Sequence, residues 1–372
     1  MSSADIETGL GRHPEDELVE AELEGAKKKK KTGKGRIIAI VVSVLVIGGV
    51  FAFALPKIAD YGAVWDEIQQ ISWPWIVALL LSVLLNTATY GPPWMAALPG
   101  LSYWHSTRMS LASTAMSAVA PGGAAVGMAS SFAMLKAWGF RGRPVGLAVV
   151  VTGVWNQLVI LGLPIIALAA VAAEGGSNRT LEIVAVIALV VFILIVVGFA
   201  VGLSSARLAG RVGDRAARLA SWAKGIIHKA PVKWRGESFV RFREESIDLI
   251  SRRWWQLTLA TLAGHLTVFI VMLASVRAVG IPHEHVSIVE AFAAWTLARV
   301  LGSIPITPGG IGFVELGLTG ALVAFGATND EAVAATLIYR FLTIVPTLVF
   351  GLIAAATFKV GHRPQHEAAE PV

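Results

Sequence analysis

Three ionisable side chains stand in stretches otherwise apolar enough for membrane depth: Arg299, Glu315 and Arg340. Arginine presents a planar fork of N–H donors that matches phosphate bidentately, and a carboxylate at such depth needs a cation beside it. Between Arg299 and Glu315 runs Gly302-Ser303-Ile304-Pro305-Ile306-Thr307-Pro308-Gly309-Gly310-Ile311-Gly312. Proline removes a backbone donor and glycine offers no side chain to hold a turn, so this run cannot be one continuous helix. Two half-helices meeting at a Pro308-Gly309-Gly310 elbow bring Arg299 and Glu315 to similar depth. The spacing therefore predicts an Arg299–Glu315 pair, either a staple for the hairpin or part of a ligand site. Arg340, one helix further on, leaves net positive charge for an anionic headgroup, and half-helix N-termini favour anions as well.

The elbow recurs. Pro121-Gly122-Gly123 precedes Pro308-Gly309-Gly310 by 187 residues, counted from Pro121 to Pro308. Each half then reads as span, span, broken hairpin, span. Three crossings separate the halves, so the second lies inverted relative to the first, as in transporters whose paired broken helices bracket a site near the midplane. The halves differ chemically: at that offset Ala112 stands opposite Arg299 and Met128 opposite Glu315. Asn156 and His265 are further polar positions in apolar runs, of the kind that more often make an interhelical hydrogen bond than a ligand.

The elements that must position these groups follow from composition and charge. The chain has 372 residues, 55% hydrophobic and only 15% charged, too few charges to clothe a soluble globule of this size. It has no cysteine, which excludes disulfides, thiolate metal sites and cysteine nucleophiles. The net charge of +6 fits basic loops beside an anionic leaflet and requires no nucleic acid. Residues 1–36 read as an acidic then polybasic tail, with Lys27 to Lys31 holding the N-terminus in the cytoplasm. Spans are expected at about 37–56, 73–91, 145–172, 180–204, 254–279 and 331–359, with hairpins at 105–137 and 288–327. The fold class is thus an all-α polytopic membrane protein with about six full spans and two oppositely oriented re-entrant hairpins. In segments, 37–172 is the first membrane repeat, 173–204 the fourth span and 205–253 a polar connection. The rest of the second repeat is 254–359, and 360–372 is a cytoplasmic tail. The connection carries twelve Lys/Arg against five Asp/Glu, which puts it in the cytoplasm. Within it Arg207, Arg211, Arg215 and Arg218 share one helical face beside Leu208, Val212, Leu219 and Ile226, a pattern for a helix on the inner leaflet. His283 and His285 lack a further ligand nearby, so no metal and no cofactor is expected.

The run Arg299-x-x-Gly-x-x-Pro-Ile-x-Pro-Gly-Gly-Ile-Gly-x-x-Glu315 resembles the hallmark of the flippase-like transmembrane region of lysylphosphatidylglycerol synthases and related standalone bacterial proteins. The resemblance covers roughly residues 37–359. It implies two re-entrant hairpins, movement of a lipid between leaflets, and Arg299, Pro308, Gly309, Gly310 and Glu315 as the positions to carry over. No soluble aminoacyl-transferase domain follows, so the chain is not expected to make the lysyl lipid itself. The first hairpin, with Pro121, Gly122 and Gly123, lacks the charged pair of the second.

The leading expectation is a non-enzymatic lipid transporter in a bacterial inner membrane, moving an anionic phospholipid or a polyprenyl-phosphate-linked lipid. No Walker-type run occurs, so a gradient or the lipid's own imbalance would drive it. One alternative is a membrane glycosyl or acyl transferase with Glu315 as base. Another is a non-transporting scaffold that docks an envelope-building enzyme on 205–253. A second copy of the chain is a further partner to consider.

Overall fold

The computed structural model describes residues 61–119, 123–175, 236–303 and 310–358, with scattered helical positions between 183 and 198. Among the described residues regular structure is all helix. The expected first span, 37–56, lies outside them, as do the tails and the arginine face of 207–218. The described positions of the fourth span, such as Ile187, Val190 and Leu194, are helical and exposed.

Among the described residues ten helices can be traced. They are α1 (Tyr61–Gln69), α2 (Trp73–Ala88), α3 (Pro92–Ala97), α4 (Tyr103–Val119), α5 (Gly123–Ala137), α6 (Gly142–Ala173), α7 (Gly236–Ala278), α8 (Ile288–Ser303), α9 (Phe313–Phe325) and α10 (Asn329–Ala356). Their ends have local causes. Pro74 sits in the first turn of α2, where a missing N–H costs nothing. That helix stops before Pro92 and Pro93, which cannot follow an α-turn but can open α3. Thr328 and Glu331 cap α10 reciprocally, the Glu331 carboxylate accepting the Thr328 N–H at 2.9 Å.

Among the described residues, four stretches are long and apolar enough to cross a membrane: Trp73–Ala97, Gly142–Ala173, Arg243–Ala278 and Asn329–Ala356. They match four of the six expected spans. Their outward residues are apolar and exposed, as on α2 at Leu80, Leu81, Leu84 and Leu85, which is what a helix facing hydrocarbon requires. The boundary of the fifth expected span moves. Instead of beginning at 254, α7 starts at Gly236 and runs 43 residues, about 65 Å at 1.5 Å per residue. That exceeds a hydrocarbon core of roughly 30 Å. The end of the polar connection is therefore a charged extension of the helix, where Glu245 bridges Arg143 of α6 at 2.6 Å.

This bridge puts the starts of α6 and α7 at one end of the bundle. His105 near the start of α4 meets Trp138 just after α5 edge to face, with ring centroids 4.7 Å apart, so the α4–α5 pair also opens at that end. The loop after α7 closes on Gly326, just beyond α9, where an added Cβ would stand 2.7 Å from the His285 carbonyl. The α8–α9 pair thus opens at the opposite end. One pair of helix starts keeps the offset of the elbows: Gly142 of α6 and Asn329 of α10 are 187 residues apart.

One core cluster joins α7 to α10, built on Trp295, Met272, Leu318, Leu322 and Tyr339. A second joins α3 to α6, built on Met109, Leu135, Trp138, Val145 and Val151. Helix α7 packs against α2, α3, α6, α8 and α10 and so spans the clusters. The closest approach is α10 on α4, where Gly351 faces the Leu111 carbonyl and Ala115 Cβ. Small residues at such a crossing let backbones meet when hydrophobic driving force between helices is weak.

Gly351→Val should therefore lower the unfolding midpoint in detergent, at a cost of about 1–3 kcal/mol or more from overpacking. Gly146→Ala on α6, where an added Cβ meets nothing within 4 Å, should leave the midpoint unchanged or slightly raised. Tryptophan-fluorescence melts of the two variants beside the parent check the pair.

Candidate functional site

The second helix pair closes through one carboxylate. Gly310 and Gly312 have φ of +67° and +93°, a conformation that L side chains rarely adopt. A Cβ on Gly310 would also stand 2.8 Å from the Gly302 Cα, so this elbow is tight as well as left-handed. Three residues into α9 territory, Glu315 turns back and its Oε2 accepts the Gly312 N–H at 2.6 Å. Its Oε1 accepts Nε of Arg340 on α10 at 2.7 Å. The two side chains are 2% and 13% exposed, so this is a buried ion pair. It fastens the elbow to the neighbouring long helix.

Arg299 is not in that pair. The expected Arg299–Glu315 contact is replaced by Arg340–Glu315, and Arg299 turns towards α7. The reason is helical phase: Glu315, in the first turn of α9, faces α10, whereas Arg299 lies one turn beyond Trp295 on the α8 surface. Its guanidinium carbon stands 5.8 Å from the Trp295 ring centroid, within cation–π range. Trp295 is itself fixed, its Nε1–H donating to the Tyr339 hydroxyl at 3.1 Å.

Arg299 Nη2 donates to His265 Nδ1 at 3.2 Å, and His265 Nε2 stands 3.2 Å from Asn156 Oδ1. Since Nδ1 accepts, Nε2 carries the proton and donates to Asn156. The chain Arg299–His265–Asn156 thus links α8, α7 and α6. It unites the two lone polar residues of the apolar runs with the arginine. Arg299 Nε is buried with no hydrogen-bond partner, and among the described residues no carboxylate bridges Arg299.

This network forms one wall of a cavity of about 430 Å³. That is within the range of roughly 300–1,000 Å³ usual for small-ligand sites. Its other walls come from α2 to α7, and they are rich in hydroxyls: Thr89, Ser110, Ser113, Thr114, Ser117, Ser131 and Thr152 all line it. Asn86 stands at its edge, held by donation of Nδ2–H to Thr267 Oγ1 at 3.1 Å. The hydroxyl wall was missed when charged residues were sought. Its signal is in the chain all the same: Ser106, Ser110, Ser113 and Ser117 recur every three or four residues along α4, one polar stripe on a helix otherwise read only for its broken end.

Of the site residues expected from sequence, the structure brings Arg299 to the cavity and sets Glu315 and Arg340 together away from its lining. Gly310 forms the second elbow and Gly123 opens α5. Pro121, Gly122, Pro308 and Gly309 lie outside the described residues.

The profile of the lysylphosphatidylglycerol synthase TM region matches residues 38–351. The chain belongs to that family. The match takes in α1 to α9, most of α10 and the Arg299 network, and it agrees with the likeness carried by the Arg299–Glu315 run. A comparison with curated proteins found no match. Membership of the lysylphosphatidylglycerol synthase TM family makes this a multi-pass membrane protein of lipid metabolism or transport.

Removing one partner of the buried pair leaves the other charge unpaired, which costs about 3–5 kcal/mol. Glu315→Gln and Arg340→Met should each destabilise by that order. The double variant should lose clearly less than the two losses added, because no orphaned charge remains. Urea or thermal unfolding of the four-protein cycle measures the coupling.

Proposed function

We propose that this protein moves a phosphate-bearing lipid across the membrane by admitting its headgroup to the cavity on which Arg299 opens. The observation that carries the reading is a polar cavity inside an otherwise apolar bundle, with Arg299 the one Lys or Arg among its described lining residues. Taking a phosphate through hydrocarbon without partners is prohibitive, since an ionised group loses its hydration there. A cavity with one arginine and many hydroxyls replaces that hydration, while acyl chains stay in lipid outside. Intramembrane ionisable residues are kept where they line such a path.

The α4–α5 and α8–α9 pairs serve, in this reading, as re-entrant hairpins of an inverted repeat, opening towards opposite leaflets. Basic residues gather where the first pair opens, with Lys136, Arg141 and Arg143 at the end of α5 and the start of α6. Asp330 and Glu331 stand at the start of α10 beside the other opening. The positive-inside rule then turns the first opening to the cytoplasm. Alternating exposure would come from the α8–α9 pair rocking with α10, to which Glu315 and Arg340 tie it. A transferase reading would need a free base, and Glu315 is committed on both oxygens, to Arg340 and to the Gly312 N–H.

The test is translocation of acyl-labelled anionic lipid in proteoliposomes, followed with a leaflet-selective quencher. Arg299→Ala should slow it at least about tenfold at matched reconstitution, the scale of one lost charge-assisted hydrogen bond. Arg299→Lys keeps the charge but not the fork and should fall between. An Arg299→Ala protein as fast as the parent would sink the cavity reading.

A further inference from the structure

We infer that the headgroup this cavity accepts is an anionic phosphodiester bearing hydroxyls, such as a phosphoglycerol or a phosphosugar, and that an aminoacylated, cationic headgroup is rejected. The inference rests on the transport reading above and narrows it to a substrate class.

It follows from how the lining groups spend their protons. Ser110 Oγ donates to the Tyr90 carbonyl at 2.9 Å and Ser113 Oγ to the Ser110 carbonyl at 3.1 Å. Ser131 Oγ donates to the Gly127 carbonyl at 3.2 Å, and Thr152 Oγ1 to the Ala148 carbonyl at 2.7 Å. Thr89 Oγ1 donates likewise to the Asn86 carbonyl at 2.7 Å. A hydroxyl has one proton and two lone pairs. These five have placed the proton on the backbone and keep lone pairs for the cavity. The hydroxyl wall is therefore an acceptor surface. At these five positions it suits the O–H groups of a polyol better than phosphate oxygens, which also accept.

Phosphate oxygens find their charged partner on the opposite wall, where Arg299 is the arginine among the described lining residues. Among the described lining residues none is Asp, Glu or Lys. One fixed cation faces one phosphodiester charge, and the balance closes. A lysyl ester on the headgroup would add two positive charges, one on each amino group. They would stand in a cavity with a fixed guanidinium and without a carboxylate, in a medium where like charges are poorly screened. Acceptor lone pairs satisfy an ammonium's hydrogen bonds but not its charge. The geometry thus divides the work: cation from α8 for the phosphate, acceptors from α2, α4, α5 and α6 for the hydroxyls.

Three acyl-labelled lipids separate these contributions in one proteoliposome assay. They are phosphatidylglycerol, phosphatidylethanol (the same charge without hydroxyls) and lysyl-phosphatidylglycerol. The wild-type order should be phosphatidylglycerol, then phosphatidylethanol, then the lysyl lipid. The first should exceed the last by about tenfold or more. Ser113→Ala with Thr152→Val, small changes that delete two acceptors, should bring the phosphatidylglycerol-to-phosphatidylethanol ratio towards one. A lysyl lipid moving as fast as phosphatidylglycerol overturns the inference while leaving transport standing. So does an equal rate for phosphatidylethanol and phosphatidylglycerol in the wild type. If none of the three moves, the transport reading falls. The shift in unfolding temperature that each lipid gives the wild type in detergent then decides selectivity alone. Greatest stabilisation by phosphatidylglycerol upholds it, and equal or greater stabilisation by the lysyl lipid overturns it.

Discussion

The buried carboxylate of Glu315 is the constraint on which the second half of the molecule depends. A chain that turns between two packed helices leaves backbone N–H groups without helical partners, and burial keeps water from supplying them. Glu315 answers one such group directly, by accepting the Gly312 N–H at 2.6 Å, and in doing so brings a negative charge to the elbow. That charge needs its own partner, and Arg340 arrives from α10 to provide it. The left-handed glycines, the elbow, the carboxylate and the long helix are thus one unit in which each part answers a polar demand made by the last. Burial makes the unit intolerant of partial loss, since a single surviving charge has nowhere to go.

With Glu315 satisfied by Arg340, Arg299 is released from structural duty. It rests on Trp295, which Tyr339 holds, and reaches His265 across to α7. The same helix pair therefore supplies one arginine-bound carboxylate for architecture and one uncompensated cation for the cavity. The first pair brings no charge to this centre. It brings small residues and hydroxyls: Gly351 of α10 can lie against the Leu111 carbonyl because neither helix has bulk there, and the α4 stripe faces inward. The two parts of the bundle are in this way chemically complementary, and the cavity takes its hydroxyls from one and its arginine from the other.

Much of this was legible in the chain. Apolar runs of spanning length, broken at Pro and Gly and separated by basic or acidic loops, determine an all-helical membrane protein of the lysylphosphatidylglycerol synthase TM family. The 187-residue offset seen between elbows holds for Gly142 and Asn329 as well. Helix ends are set locally, by prolines that cannot continue a turn and by caps such as Thr328 with Glu331, so a sequence can announce them. The exception was the start of α7, because Gly236 to Arg253 is polar and reads as a loop when only hydropathy is weighed.

Partner choice was not legible. Sequence places Arg299, Glu315 and Arg340 in neighbouring elements at compatible depth, and two of the three can pair in more than one way. Which pair forms depends on the rotation of each half-helix about its axis, and that rotation is decided by packing against α7 and α10 far along the chain. The acceptor character of the cavity wall at Ser110 has the same origin. A serine on a helix can offer its proton or its lone pairs outward, and only the position of Tyr90 beside Ser110 commits that proton. The sequence by itself determined the kinds of groups, their depth and the breaks between helices, because those follow from local backbone chemistry and solvent. The tertiary structure alone decided which cation is neutralised and which is left facing the cavity, because charge pairing at membrane depth is settled by a few ångströms of helix placement.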